Sequence, residues 1–153
     1  MHGRFAQDVQ AEVGDFVVRR NDGVASYQLA VVVDDAQSGI TDVLRADDLL
    51  SSTPRQLLLY EALGRSPPRF AHVPLLMGED GKRLAKRDGV FAIAELRRRA
   101  VPAERVVGLL ASWSGLGNGE PVPARELARG FDLARLSTAP VVARQADIEA
   151  RLR

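Results

Sequence analysis

Four basic side chains lie within six residues in the stretch "GKRLAKRDG", Gly81–Gly89: Lys82, Arg83, Lys86 and Arg87. Backbone amides next to glycines can approach an anion closely, and lysines add mobile positive charge. A loop of this composition can close over a triphosphate and stabilise charge that develops in a transition state. A charged hairpin turn has the same residue pattern, so from spacing alone both interpretations stay open.

The stretch Ser26–Gln56 contains side chains suited to binding a carboxylate. Tyr27 offers a hydroxyl and a flat apolar face, and Arg45 follows at the end of a predicted strand. Ligand sites in open α/β sheets lie at the carboxyl ends of strands, and an arginine there can bind a carboxylate through two parallel hydrogen bonds. The alternative for Arg45 is a structural salt bridge to Asp47 or Asp48.

The other ionisable residues give weaker signals. Asp34 and Asp35 are adjacent, so their side chains point in different directions, and we expect capping or ion pairing rather than acid–base catalysis. His72 lies among apolar neighbours in "FAHVPLL", which is typical of a buried or half-buried strand residue. The chain has no cysteine and only two histidines, so we expect neither a disulfide nor a metal site.

The elements that must position these residues begin with strands. Short β-branched runs predict strands at Phe16–Arg20, Ile40–Leu44 and Arg69–Leu76, with a tight turn at Asn21–Gly23. The run Ser26–Gly39 fits either a strand or a helix that Ser26 caps and Gly39 ends.

Helices are predicted elsewhere. Ser52 or Thr53 can cap a helix that has Pro54 in its first turn and ends at Gly64. We expect four residues to supply its apolar contacts: Leu57, Leu58, Tyr60 and Leu63. Further helical stretches follow within residues 91–100, 102–117, 121–131 and 139–153. Strand–helix units followed by helices predict an α/β portion joined to a smaller α-helical portion.

Composition is that of a globular domain, with 46% hydrophobic and 27% charged residues in a chain of 153. The net charge is +1, but residues 1–50 hold four Lys/Arg against nine Asp/Glu, and residues 51–100 hold ten against five. The basic middle could face a nucleotide or an RNA backbone, or its arginines could simply be solvated on helix faces. No apolar run approaches a membrane span and no secretory pattern follows Met1, so we expect a cytoplasmic protein without a membrane partner.

In combination and in order, these stretches resemble the catalytic domain of glutamyl-tRNA synthetases, from about residue 5 to about residue 143. The family's Tyr-x-x-Ala-x-Val-Val-Asp-Asp block begins here at Tyr27, its Gly-[Ile/Val]-Thr-x-Val-[Ile/Leu]-Arg block ends at Arg45, and its Ser-Thr-Pro begins at Ser52. "HVPL" from His72 is similar to the family's His-x-Pro-Leu strand. "RLAKR" from Arg83 is similar to its Lys-Met-Ser-Lys-Ser signature loop.

The resemblance implies a fold and a site. The fold would be α/β, the second half of a Rossmann-like class I synthetase catalytic domain over residues 1–76, with the signature loop and a small α-helical stem-contact region over residues 77–153. Glutamate and ATP with Mg²⁺ would bind, with Tyr27 and Arg45 contacting glutamate. Lys86 would be catalytic and, with Arg83 and Arg87, would bind ATP. Arg83 replaces the signature's first lysine and Ala85 its serine, whereas Lys86 is intact.

The ending "FDLARLSTAPVV" and the stretch "RADDLLSSTPRQ" are more similar to the truncated glutamyl-queuosine branch of the family, which attaches glutamate to queuosine in the anticodon of tRNA-Asp. That branch has a His-x-Gly-His-type ATP motif and a cysteine-bound zinc in an N-terminal half, which this sequence does not contain. We therefore expect the C-terminal half of such an enzyme, no zinc in this chain, and a separate N-terminal half as a possible partner besides tRNA. The alternatives are a fragment of a glutamyl-tRNA synthetase that charges tRNA-Glu, and a non-catalytic remnant that binds RNA or a partner chain.

Overall fold

Two units make up the chain in the computed structural model, residues 2–72 and residues 73–153. The structure describes residue 3, residues 5–84 and residues 92–152, so Ala85, Lys86 and Arg87 lie outside the described residues. Both units combine helices with short strands, which confirms the α/β class predicted from the sequence. Among the described helices, none has the length and apolarity needed to cross a membrane.

The first unit alternates helices and strands. Its two strands pair in a two-stranded sheet, and its second and third helices pack against each other. The elements are α1 Val9–Glu12, α2 Tyr27–Gln37, β1 Asp42–Ala46, a 3₁₀ helix Asp47–Ser52, α3 Thr53–Ala62 and β2 Arg69–Val73.

The ambiguous run after Ser26 is the helix α2. Two hydrogen bonds terminate this helix: the amide of Ile40 donates to the Asp35 carbonyl, and the amide of Gly39 donates to the Ala36 carbonyl. Gly39 adopts φ +66°. This pair of bonds around a left-handed residue is the Schellman ending, for which glycine is preferred because it has no Cβ. Val32 is fully buried, so the valine run serves helix packing rather than strand pairing.

Helix α3 follows the expected boundaries but not the expected contacts. Ser52 is its N-cap residue, Pro54 lies in its first turn and it ends before Gly64. Its buried face carries Gln56 and Tyr60, one turn apart. The expectation that its leucines supply the apolar contacts is wrong for the three that are exposed: Leu57, Leu58 and Leu63. At 100° per residue Leu57 and Leu58 turn away from the Gln56–Tyr60 face, whereas Leu63 follows the last helical residue, Ala62.

The strand predicted at Phe16–Arg20 is wrong. Only a single antiparallel bridge forms there, between Arg19 and Ala25. Val17 and Val18 are exposed, so β-branched residues in this run have no neighbouring strand to pack against, and β propensity depends on such packing. The predicted turn is confirmed, because the amide of Gly23 donates to the carbonyl of Arg20 at 2.9 Å.

The second unit is mainly helical around a small sheet. Strand β3 pairs in parallel with β4, with Leu76 opposite Val141, and its Met77 forms an antiparallel bridge with Arg83. The elements are β3 Leu76–Met77, α4 Ile93–Arg98, α5 Ala103–Trp113, α6 Ala124–Arg129, a 3₁₀ helix Leu133–Arg135, β4 Val141–Val142 and α7 Gln145–Arg151.

A single apolar cluster holds the second unit together. Leu84, Val101 and Trp113 pack against its buried members, which are Leu96, Val106, Leu109, Ala143, Ile148 and Leu152. The last predicted helix, over residues 139–153, begins only at Gln145, because the valines of β4 pair with β3 instead. Leu84 therefore ties the start of the basic stretch to the core of this unit.

Candidate functional site

Arg45 is the centre of a polar network in the first unit. It lies on β1 and donates four hydrogen bonds: from Nε to Nε2 of His72 at 3.2 Å, from Nη1 to Oε1 of Gln56 at 2.8 Å, and from Nη2 to Oγ1 of Thr53 at 2.9 Å and to the carbonyl of Leu49 at 3.3 Å. The partners come from β2, α3 and the 3₁₀ helix. The guanidinium is thus fixed by three neighbouring elements.

The four bonds leave little of the guanidinium free. Arginine has five N–H donors, and four are used within the described part of the chain. The remaining N–H is on Nη1. A carboxylate can therefore reach Arg45 through one direct hydrogen bond while the network stays intact, rather than through the two parallel bonds that the sequence suggested.

His72 acts as an acceptor in this network. It is buried, and its Nε2 also lies 3.2 Å from the hydroxyl of Thr53. Because arginine can only donate, Nε2 of His72 must accept, and the imidazole is then neutral with its proton on Nδ1. The prediction of a buried strand histidine is confirmed, and the structure adds a contact with Arg45 that the sequence did not indicate.

The charge of Arg45 is placed in a partly apolar environment. Its Cζ lies 4.9 Å from the centroid of the Phe70 ring, within the range of a cation–π contact. Burial lowers the pKa of the Arg45 guanidinium, while Tyr27 and Asp35 act in the opposite direction. An arginine remains protonated under such conditions, so the site carries a positive charge.

Tyr27 and Arg45, the two residues predicted to bind glutamate, belong to the same unit. Tyr27 is the first residue of α2, and 54% of its surface is exposed. The charge of Tyr27 acts to raise the pKa of Arg45, against the effect of burial. Asp34 is exposed and Asp35 half-buried on the same helix, which agrees with the expectation that they point in different directions.

The salt-bridge alternative for Arg45 does not describe its contacts. The four hydrogen bonds that Arg45 makes within residues 3, 5–84 and 92–152 go to uncharged groups, and none of them goes to Asp47 or Asp48. Those aspartates lie in the first turn of the 3₁₀ helix that follows β1, where acidic residues suit the positive helix end.

Three polar residues of this site were not predicted to act there. Gln56 is fully buried, and either Ser52 or Thr53 was expected to cap α3. No such capping bond forms, because the Thr53 hydroxyl accepts from Arg45 and the Ser52 hydroxyl accepts from Gln28 at 3.1 Å. The available signal was the spacing of Thr53, Gln56 and Tyr60, which places three non-aliphatic side chains on one helix face.

The described part of the basic stretch forms the end of a hairpin in the second unit. The Gly78 amide donates to the Lys82 carbonyl at 2.7 Å, the Lys82 amide donates to the Asp80 carboxylate at 3.0 Å, and Arg83 forms the bridge with Met77. Lys82 lies 3.7 Å from Asp80 in an exposed ion pair. Residues 78–83 thus form a hairpin, and the choice between a charged turn and a phosphate-binding loop stays open because Lys86 and Arg87 lie outside the described residues.

Side chains that commonly bind metals do not cluster among the described residues. Within residues 3, 5–84 and 92–152, no group of three or more His, Cys, Asp or Glu side chains could hold a metal ion.

A family model and two relatives that match this chain all belong to the tRNA synthetases or tRNA ligases. The family model for the catalytic domain of class I tRNA synthetases (E and Q) matches residues 2–150. The chain is 60% identical over 129 residues to a glutamyl-Q tRNA(Asp) synthetase of Symbiobacterium thermophilum, covering 84% of this chain and 40% of that protein. It is 46% identical over 129 residues to a glutamate–tRNA ligase 2 of Halorhodospira halophila, covering 83% of this chain and 27% of that protein.

A solved structure shares the fold. It is a crystal structure of a glutamate tRNA ligase from Elizabethkingia meningosepticum in complex with its amino acid, which matches with a TM-score of 0.74 at 30% identity. The match covers 91% of this chain and 32% of that one. The chain thus spans less than half the length of each of these relatives.

Proposed function

The chain belongs to the family of class I tRNA synthetase (E and Q) catalytic domains, and on that premise we propose that it is part of an enzyme that activates glutamate with ATP and transfers it to queuosine in the anticodon of tRNA-Asp. Membership makes it ligase-like in class. The name of the Symbiobacterium relative, at 60% identity, supports the choice of tRNA-Asp and queuosine.

The observation that carries the proposal is the charged guanidinium of Arg45 in a network of neutral partners. A carboxylate of glutamate is the matching ligand, because its negative charge complements the one charge at the centre of that network. Tyr27, exposed at the start of α2 in the same unit, offers the hydroxyl and ring face that would complete the site. These two residues are the proposed glutamate contacts.

The ATP phosphates are assigned to the stretch Arg83–Arg87. Lys86 keeps the second lysine of the family's signature and is proposed as the catalytic residue, with Arg83 and Arg87 as further phosphate contacts. Adenylation works mainly by positioning and charge stabilisation, so basic side chains suffice without a dedicated acid–base pair. Mg²⁺ would enter with ATP, and no step is assigned to it on this chain.

The remaining partners follow from the family. Residues 1–76 are proposed as the partial catalytic domain and residues 77–153 as the signature loop and stem-contact region for tRNA. A separate N-terminal half, with the family's zinc, is the proposed protein partner. Exposed Leu44, Leu57 and Leu58 in the first unit support such association, since exposed apolar side chains favour contact with another surface. The reaction would take place in the cytoplasm, where tRNA and ATP are found.

A second candidate is a fragment of a glutamyl-tRNA synthetase that charges tRNA-Glu. The 46% identity to the Halorhodospira glutamate–tRNA ligase 2 favours it. Both candidates use the same glutamate and ATP contacts and differ in the acceptor RNA. A non-catalytic remnant that binds RNA or a partner would lack both reactions.

The acceptor decides between these candidates. The test uses a completed enzyme, meaning this chain co-expressed with the part of the Symbiobacterium relative that it does not span. Labelled glutamate is offered with three RNAs: tRNA-Asp that carries queuosine, tRNA-Asp that lacks it, and tRNA-Glu. We expect label only in the first. Label at the 3′ end of tRNA-Glu would favour the second candidate, and RNA binding without any label would favour the remnant.

A further inference from the structure

The four hydrogen bonds of Arg45 end on an imidazole, an amide, a hydroxyl and a backbone carbonyl, and none of these groups carries charge. Arg45 is half-buried, and withdrawing an arginine from water without a bonded carboxylate is unfavourable unless hydrogen bonds and aromatic contacts replace that water. The network supplies both, since four N–H groups are bonded and the Phe70 ring lies beside the guanidinium. Among the described residues, no group bonded to Arg45 neutralises this fixed charge.

Gln56 anchors this arrangement. It is fully buried and accepts from Arg45 at 2.8 Å, its Nε2 donates to Oε1 of Gln28 at 2.9 Å, and Nε2 of Gln28 donates to the hydroxyl of Ser52 at 3.1 Å. Because Arg45 can only donate, the orientation of both amides along this chain is set by the arginine. The chain links β1 to α3, α2 and the 3₁₀ helix.

We propose that Gln56 is a positioning residue whose neutrality keeps the charge of Arg45 available to an anionic ligand. A glutamate at position 56 has nearly the same shape, but its carboxylate would pair with Nη1 of Arg45 and neutralise the site. The amide thus fixes the guanidinium without competing for its charge. The inference rests on the proposed function, which makes the anion a carboxylate of glutamate.

If Gln56 keeps the Arg45 charge available, Gln56→Glu should weaken anion binding without loss of stability. If Gln56 is purely structural, the substitution should leave anion binding unchanged. Replacing the amide by a carboxylate creates a charge-assisted hydrogen bond with Arg45, which is stronger than the neutral one. The Gln28 amide can turn, so that its Nε2 donates to the new carboxylate and its Oε1 accepts from Ser52. The fold should therefore be at least as stable as before, while the anion site loses its net charge.

The experiment compares the 153-residue chain with its Gln56→Glu and Gln37→Glu variants. Gln37 is exposed at the end of α2, so Gln37→Glu makes the same change of charge outside the site. Urea unfolding measures stability, and the NMR signal of the Arg45 Nε–H is titrated with L-glutamate and, separately, with sulfate. We expect Gln56→Glu to weaken binding of both anions roughly tenfold or more, with resistance to urea equal to or above wild type. Gln37→Glu should bind both anions like wild type.

The other outcomes contradict the role of Gln56, the proposed function, or both. Unchanged anion affinity in Gln56→Glu, or a fold clearly less stable than wild type, would overturn the role of Gln56. A wild-type chain that binds sulfate but not glutamate would contradict the proposed function and leave the role of Gln56 standing. A wild-type chain that binds neither anion at Arg45 would overturn both.

Discussion

Arg45→Ala in the completed enzyme should lower kcat/KM for glutamate by about 30-fold to a few thousand-fold, since a charged partner removed from a desolvated carboxylate costs roughly 2–5 kcal/mol. The KM for ATP should change little, because the proposed contact is with glutamate alone. The variant should also lose folding stability, because the side chains of Gln56, Thr53 and His72 lose their donor. Kinetics are therefore measured at a temperature where wild type and variant are both fully folded.

Arg69→Ala is the matched control. Arg69 lies on the neighbouring strand β2, is largely exposed, and pairs with Asp42 at 2.7 Å on the surface. Its loss should leave glutamate kinetics near wild type. If Arg45→Ala loses stability but keeps the kcat/KM for glutamate of the control, then the network around Arg45 is structural and the glutamate site lies elsewhere.

Lys86→Ala should lower kcat for glutamate adenylation by about 10²–10³, the usual loss when one preorganised contact to transition-state charge is removed. The compact lysine charge can follow the pyrophosphate as it leaves, so the contact acts mainly in the transition state and the KM for ATP should change little. Arg83→Ala should have a smaller effect, because Arg83 already departs from the family's signature.

Lys82→Ala is the control for Lys86, because these are the only two lysines in the sequence. The Lys82 side chain is exposed, lies in an ion pair with Asp80 on the hairpin, and is not itself one of the proposed phosphate contacts. Steady-state pyrophosphate exchange measures all three variants. A near-normal kcat in Lys86→Ala would mean that the basic stretch is a charged turn over its whole length.

Helix α3 was predictable from local start and stop signals, because it has a cap position, an early proline and a terminal glycine. Helix α2 was left open between helix and strand, although Gly39 allows the Schellman geometry with which it ends. Where such start and stop signals were absent, the secondary structure depended on partners elsewhere in the chain. Val17 and Val18 are exposed and belong to no strand, whereas Val141 and Val142 pair with β3.

The candidate site was predictable only in part. Arg45 and Tyr27 stand out through their chemistry and through the resemblance to a family. The network around Arg45 could not be read from the sequence, because Gln56, His72 and Gln28 come from three different elements and meet only after those elements pack. The same packing explains why Arg45 offers one free N–H rather than the pair that its residue type suggests.

Glutamate-dependent exchange of pyrophosphate into ATP tests the central proposal most directly. The measurement compares the 153-residue chain alone, the remaining part of the Symbiobacterium relative alone, and the two together, each with L-glutamate and with L-glutamine. We expect exchange only when both parts and L-glutamate are present, because the chain spans 40% of that relative and contributes only some of the contacts. Absence of exchange in a complex that is shown to form, or equal exchange with L-glutamine, would contradict the proposal that this chain helps to activate glutamate.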